Sequence, residues 1–282
     1  MGDKILILGG TGTLGKALLE KLTERHEVIV LSRDEQKQYA LKKQYPHVEF
    51  IIADIRDKSS IKHAFENVKY VFHVAALKHI DIIEENPIES VKTNILGTIN
   101  VCEEALEHNV KHVIFSTTDK AIDPINVYGN CKAISEKIIL NYNKFNKTYF
   151  KFFRWGNILN SSGSAIPFFI DCIKKGKSIP LTNKEMTRFF TTIEIAVNFM
   201  LENIDTRKNH FTLNMKSAYI LNIITIIGEL LDLPANYHIT GLRSGEKLHE
   251  SLISSHEINN VNSKNCLMFT KEELTILLKE LL

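Results

Sequence analysis

Short continuous apolar runs alternate along the chain with segments whose apolar positions recur every three or four residues. Lys4–Leu8, Glu27–Leu31, Val48–Ala53, Tyr70–Val74 and His112–Ser116 are β-branched and apolar almost throughout, the pattern of strands buried on both faces. Tyr149–Arg154 predicts a sixth strand. Between them, Leu14–Thr23, Glu35–Gln44, Ser59–Glu66, Ile88–Glu107 and Tyr128–Asn146 predict helices. This alternation implies an α/β fold with a doubly wound parallel sheet and right-handed crossovers. After Trp155 the rhythm breaks. A loop is expected at Asn160–Ser164, helices at Ile166–Lys174, Ile193–Glu202, Leu221–Leu231 and Lys271–Leu282, and a strand at His210–Met215. Residues 1–157 therefore read as a sheet domain and 158–282 as a smaller C-terminal α/β lobe, with exchange of a strand or helix between the two allowed. Ligands of open α/β sheets sit at the carboxyl ends of the strands, which makes the second lobe the expected substrate lid.

Gly9-Gly10-Thr11-Gly12-Thr13-Leu14-Gly15 directly follows the first strand and opens a helix. Gly9 allows a tight turn, Gly12 a close backbone approach to a pyrophosphate and Gly15 close helix–sheet packing, while the helix N-terminus favours the anion. Strand, glycines and helix together make residues 1–157 a Rossmann-type dinucleotide-binding domain. The second strand ends in Leu31-Ser32-Arg33, with no acidic residue until Asp34. A ribose 2′-hydroxyl wants a carboxylate there, whereas a 2′-phosphate wants a cation and a hydroxyl. Arg33 and Ser32 supply both, which favours NADP over NAD. Asp54-Ile55 after the third strand is placed to meet the adenine. Ala75 and Ala76 after the fourth let the cofactor lie against backbone.

Composition narrows the partners. Apolar residues make up 44% and charged residues 24%, the formal net charge is +2, and the charges are mixed along the chain. That gives no nucleic-acid footprint. No apolar run approaches the ~18 residues that span a bilayer, and the N-terminus shows no signal-peptide pattern. Cys102, Cys131, Cys172 and Cys266 are widely spaced; they read as reduced thiols of a cytoplasmic protein, with no metal cluster.

The candidate chemistry lies in two adjacent segments. Ser116-Thr117-Thr118-Asp119-Lys120 closes the fifth strand, and Tyr128-Gly129-Asn130-Cys131-Lys132 opens the next helix eight positions beyond Lys120. Tyr128 and Lys132 are i and i+4, hence on one helix face. A nearby ammonium stabilises phenolate, which makes the tyrosine a base for an alcohol whose hydride is leaving. Thr118 can hydrogen-bond the same alcohol. His73, inside an apolar strand, is expected to be a core histidine. Asn94, in an otherwise apolar helix, is expected to satisfy a backbone break. Phe168-Phe169 reads as core or subunit contact.

With these segments the chain resembles the extended short-chain dehydrogenase/reductases that act on nucleotide sugars. Within them it is most similar to the soluble, inverting UDP-N-acetylglucosamine 4,6-dehydratases. Besides the glycine turn, the matching residues are Ser32-Arg33-Asp34-Glu35, Ala75-Ala76-Leu77-Lys78-His79, Thr93-Asn94-Ile95-Leu96-Gly97-Thr98 and Ser116–Ala121. They continue through Arg154, Gly156-Asn157, Gly163-Ser164, Pro167-Phe168-Phe169, Met186–Phe190 and Arg243-Ser244-Gly245-Glu246-Lys247. The resemblance implies that Tyr128 takes the C4 hydroxyl proton as hydride passes from C4 to NADP. Lys120, as a neutral amine, removes the acidified C5 proton. Protonated Asp119 donates to the departing C6 hydroxyl, and hydride returns to C6. Both Asp119 and Lys120 have the chemistry for either acid or base. Most sugar-nucleotide dehydratases outside this subfamily carry Asp-Glu at these positions, and the membrane-bound retaining relatives replace the tyrosine with methionine; Tyr128 and Lys120 thus imply C5 inversion. A retaining dehydratase, a 4-epimerase and an NADP-sensing regulator stand as the alternatives. The resemblance also places Lys78, Tyr128 and Lys132 at the cofactor and Lys78, His79 and Thr118 near the sugar. Arg154, Asn157, Arg188, Arg243 and Glu246 would hold the diphosphate, uracil and ribose of UDP-N-acetylglucosamine, and a homo-oligomer is implied. Ser244 departs from the proline usual in the family, and the tail after residue 253 is short and Asn-rich.

Overall fold

The computed structural model describes residues 2–161, 163–253 and 261–282; Ser162 of the expected loop and the Asn-rich segment 254–260 lie outside them. Strands β1 (Lys4–Leu8), β2 (Glu27–Ser32), β3 (Glu49–Ile52), β4 (Tyr70–His73), β5 (His112–Thr118) and β6 (Tyr149–Trp155) form a parallel sheet. With β10 (His210–Thr212) its order is β10-β6-β5-β4-β1-β2-β3. The order reverses between β1 and β4, and that switch point opens a crevice at the strands' carboxyl ends.

The continuous apolar runs are explained by two cores, one on each face. Ile5 and Ile7 join one core with Leu18 and Leu19 of α1 (Thr13–Leu22) and Leu41 of α2 (Glu35–Gln44). Leu6 and Leu8 point the other way, to Ile61 of α3 (Lys58–Ile61). Further along the chain come α4 (Ile80–Glu85), α5 (Pro87–Ser90), α6 (Gly97–Glu107) and α7 (Val127–Tyr142); Val101 of α6 and Ile139 of α7 complete the second core.

The single helix expected over 88–107 is interrupted. A π-helical turn at Val91–Leu96 separates α5 from α6, because Asn94 turns inward: its Nδ2 donates to the Leu77 carbonyl at 2.9 Å and its Oδ1 accepts from the Leu77 amide at 3.0 Å. A π-bulge of this kind inserts one residue to aim a side chain.

The second half of the chain adds β7 (Asn157–Ile158), α8 (Ala165–Lys174), β8 (Ile179–Leu181), β9 (Thr187–Thr191) and α9 (Ile193–Glu202). It closes with β11 (Lys216–Tyr219), α10 (Ile220–Leu231), β12 (Tyr237–Ile239) and α11 (Lys271–Lys279). Strands β11, β9 and β7 form one small sheet and β12 with β8 another. Helices α8, α10 and α11 share a third core through Ile173, Ile223, Ile227 and Leu278. Yet α9 contributes Ala196, Val197 and Met200 to the first core, and β10 extends the large sheet. The expected strand 210–215 stops at Thr212. Strands β7, β8, β9, β11 and β12 were not anticipated; each has five residues or fewer, too short for a period to show. Among the described residues no helix is long and apolar enough to cross a membrane.

Candidate active site

Two cavities meet at the switch point. The outer one, about 650 Å³, is walled by Thr11, Ser32, Arg33, Asp54, Ile55 and Ala75. The inner one, about 430 Å³, is walled by Thr13, Leu14, Gly15, Thr118, Lys120, Tyr128 and Lys132. Gly9, Gly12 and Ala76 border both. The glycine turn fits a dinucleotide: a Cβ on Gly15 would stand 2.4 Å from the Gly9 carbonyl oxygen, so only glycine lets α1 begin this close to β1. That helix N-terminus faces the cleft where a pyrophosphate would lie.

In the outer cavity the acidic residue that follows β2 is spoken for. Asp34 caps α2 by accepting from the Lys37 amide at 3.0 Å and pairs with Lys37 Nζ at 2.6 Å. Hydrogen bonding from Lys37 holds its carboxyl below the ordinary range. Ser32 Oγ accepts from Gln38 Nε2 at 3.0 Å, which orients the hydroxyl, and Arg33 stands half-exposed with Nη1 3.7 Å from Asp54.

The inner cavity is assembled where β5 meets α7. Thr118 ends the strand, and Asp119–Ala121 turn at once into a 3-10 helix. Asn126 caps α7, accepting from the Gly129 amide at 2.7 Å, an arrangement worth about 1 kcal/mol. Gly129 is needed because a Cβ there would lie 2.3 Å from the Lys120 carbonyl oxygen; the Asp119–Lys120 turn and the first turn of α7 touch backbone to backbone. Asp119 is fully buried. Its Oδ1 accepts from Thr118 Oγ1 and from Lys120 Nζ, both at 3.0 Å, and its Oδ2 has no hydrogen-bond partner.

The electrostatics differ from the sequence-based expectation at two groups. Burial pushes the Tyr128 phenol up to about 12. The charge on Lys120 and a hydrogen bond with Thr118 pull the other way, and Asp119 adds to the rise. The cation acting on the phenol is thus Lys120. Lys132, expected in that role, donates to the Ser116 carbonyl at 2.7 Å, and burial brings its ammonium down to about 8 against the opposing charge of Glu136. The second difference is Lys120, expected as a neutral amine. Burial works against its charge, but Asp119 and Glu250 outweigh burial and the repulsion from Arg188, and hold the ammonium above its ordinary value.

All the expected cofactor residues border one of the two cavities, as do Lys78, His79, Thr118 and Asn157. Four expected substrate residues do not. Arg154 is buried and donates to Glu136 twice (Nε 3.2 Å, Nη2 2.6 Å) and to the Leu252 carbonyl at 3.1 Å. Arg188 donates to the carbonyls of Thr187, Lys247 and Leu248 at 2.8–3.1 Å. Arg243 pairs with Asp81 at the surface, and Glu246 accepts from Thr182 at 3.1 Å. Sequence reasoning missed Glu250, which is 3% exposed and reaches within 3.6 Å of Lys120 Nζ. Its only sequence signal was its place just after the Arg243–Lys247 motif. His73 is a core residue: burial first, then the nearby Lys132, brings its imidazole down to about 3. Among the described residues no cluster of His, Cys, Asp and Glu is placed to hold a metal ion.

A parallel sheet with a glycine turn at its switch point, and a strand-end Thr-Asp-Lys beside a helix-borne Tyr and Lys, define an extended short-chain dehydrogenase/reductase. Within that class the chain belongs to the polysaccharide biosynthesis protein family, which matches residues 5–272. It is 38% identical over 267 residues to a UDP-N-acetylglucosamine 4,6-dehydratase (inverting) of Campylobacter jejuni, covering 91% of this chain and 79% of that one. It is also 34% identical over 267 residues to a UDP-glucose 4-epimerase of Rickettsia canadensis, covering 90% and 78%. In structure it is similar to Pen from Bacillus thuringiensis, with a TM-score of 0.93, 33% identity and coverage of 100% and 98%.

Proposed function

We propose that the chain is a UDP-N-acetylglucosamine 4,6-dehydratase that inverts C5 and keeps NADP as its resident cofactor. The observation that carries this reading is the ion pair between Lys120, which walls the same cavity as Tyr128, and the buried Asp119 behind it: an acid and a base beyond what alcohol oxidation requires. The hydroxyl of Ser32, oriented by Gln38, the cation of Arg33 and the engagement of Asp34 with Lys37 support NADP rather than NAD. When bound, the nicotinamide takes hydride from C4 and returns it to C6.

The residues divide the proton work. Thr118 orients the C4 hydroxyl and Tyr128 takes its proton as the phenolate, a form that burial opposes and that Lys120 and the positive charge of a bound nicotinamide favour. Asp119 and Lys120 share one proton across 3.0 Å. With that proton on Asp119, Lys120 is free to take the proton from C5, and Asp119 protonates the C6 hydroxyl, which leaves as water. The pair then again holds one proton, as Lys120 ammonium, which it gives up to solvent as C5 takes a solvent-derived proton on the opposite face, the change that sets the L-arabino configuration. The proton that Tyr128 took from the C4 hydroxyl replaces the one lost with water, so the enzyme ends as it began. Lys78, His79 and Asn157 are left to contact the UDP-sugar, and Lys132 the cofactor ribose.

The likeness to a 4-epimerase supports one second reading, in which Tyr128 alone acts and C4 is re-reduced. Incubation with UDP-N-acetylglucosamine in deuterated water, without added cofactor, separates the two. The expected product is UDP-2-acetamido-2,6-dideoxy-β-L-arabino-hexos-4-ulose with deuterium at C5. A C4 epimer with no loss of water refutes the dehydratase, and retained gluco configuration at C5 refutes inversion.

A further inference from the structure

Glu250 is a buried charge beside the reacting residues that the scheme above does not use. It belongs to neither cavity wall. Its Oε1 lies 3.6 Å from Lys120 Nζ, and its Oε2, without a hydrogen bond, lies 3.8 Å from Lys247 Nζ. The carboxylate reaches this position on a strap, residues 243–252, that crosses from the second lobe to the first. Asn126, the cap of α7, donates to the Gly245 carbonyl at 2.8 Å. Lys247 Nζ donates to the Ile122 carbonyl at 2.6 Å. Arg188 holds the carbonyls of Lys247 and Leu248, and Arg154 that of Leu252. Four anchors on so short a segment leave Glu250 little freedom, and its amide and carbonyl are both bonded to Ser263.

We propose that Glu250 is a positioning residue of the Asp119–Lys120 pair: it grips the Lys120 amine from behind the cavity wall and determines which partner carries their shared proton. The proposal rests on the dehydratase reading for its purpose but not for its geometry. Lys120 is faced by Asp119 on its own turn, Glu250 on the strap, Arg188 on β9 and Tyr128 on α7. A buried lysine with a single carboxylate can collapse to a neutral pair. The second carboxylate favours the ammonium. Elimination then begins only when the substrate moves the proton onto Asp119, and taking the C5 proton regenerates the ammonium.

The test reads the amine directly. Lys120 borders the cavity and its side chain is 15% exposed, so a small acylating reagent reaches it. In competitive acetylation of the intact enzyme with acetic anhydride at mildly alkaline pH, quantified by peptide mass spectrometry, the initial rate at Lys120 follows its neutral fraction. Glu250→Gln should raise that rate about tenfold, the consequence of removing an opposite charge at contact distance. Glu250→Asp, which keeps the charge, should stay within about twofold of wild type. An unchanged rate in Glu250→Gln, or an equal rise in both variants, overturns the proposal, the latter because it would reflect lost packing. In the same variants the kcat profile should move its limb by about one pH unit to lower pH in Glu250→Gln with KM unchanged. A uniform loss of kcat at all pH values refutes the positioning role. Failure of the wild type to form the 4-keto product would sink the dehydratase reading while leaving the acetylation result standing.

Discussion

Arg154 offers the sharpest separation between holding a substrate and holding the fold. Arg154 and Glu136 each have 9% of the side chain exposed and meet at 2.6 Å, and Thr117, the β5 residue registered opposite Arg154, donates to the same carboxylate at 2.6 Å. Arg154→Met removes three hydrogen bonds and leaves Glu136 buried with a single donor, a loss of about 3–5 kcal/mol. At roughly 2 °C per kcal/mol for a chain of this size, the melting temperature should fall by roughly 6–10 °C. Adding Glu136→Leu removes the stranded charge, and the double variant should return to within about 2 kcal/mol of wild type, a coupling well above the additive limit. The assay is urea denaturation of the four proteins of the cycle, with KM for the UDP-sugar measured alongside. Because Arg154 does not border the cavity, KM should stay within about twofold in Arg154→Met. The double variant should lose kcat at neutral pH, since Glu136 supports the charge on Lys132. An unchanged melting temperature with KM raised about tenfold, equivalent to 1.4 kcal/mol of binding, would refute the structural assignment and return Arg154 to the diphosphate.

Two further expectations concern the cofactor and acid stability. Nucleotide released from the purified protein should be NADP, and Arg33→Asp should move the preference toward NAD by about tenfold or more through loss of a charge-assisted contact; release of NAD from the wild type would overturn the assignment. His73 and His112 titrate in the folded protein at about 3 and about 4, burial being the main cause for both, against 6.5 ordinarily. The unfolded chain therefore binds protons that the native state refuses, and stability present above pH 6.5 is lost as pH falls toward 4. His112 is 3% exposed and stacks between Tyr70 and Tyr149. His112→Phe should keep the stacking and reduce the acid loss by on the order of 2 kcal/mol, read as the difference between urea midpoints at neutral and acidic pH. An equal loss in both proteins would refute the histidine as its source.

The parts of the molecule legible in the sequence are those whose causes are local. Gly15 is read from its neighbours because its constraint is the carbonyl of Gly9, six positions away, and Tyr128 and Lys132 share a face by helix period alone. Four of the first five strands announce themselves because burial on both faces leaves few polar positions, while β3 at the sheet edge has no buried residue and shows only through its short apolar run. Of the five unanticipated strands, β8, β9 and β11 carry Pro180, Arg188 and Lys216 within three to five residues, and β7 and β12 have only two and three residues, so no pattern survives. Arginines mislead for a related reason. A guanidinium suits a diphosphate and a cluster of carbonyls equally well, and what decides is a partner far along the chain: Glu136 is 18 positions from Arg154, and Leu248 is 60 from Arg188.

That misplacement has a physical consequence for the site. Arg154 and Arg188, expected to touch the sugar nucleotide, instead fix the strap that sets Glu250 beside Lys120. On the proposal for Glu250 they act on the reaction through the backbone that carries a carboxylate, not through a charge offered to the ligand. The family resemblance implied a neutral Lys120 amine, and burial by itself works in that direction. With Asp119 one residue away and Glu250 130 residues away, the balance inverts and the resting form is the ammonium. A strap variant that leaves both cavities untouched can therefore alter proton transfer at C5.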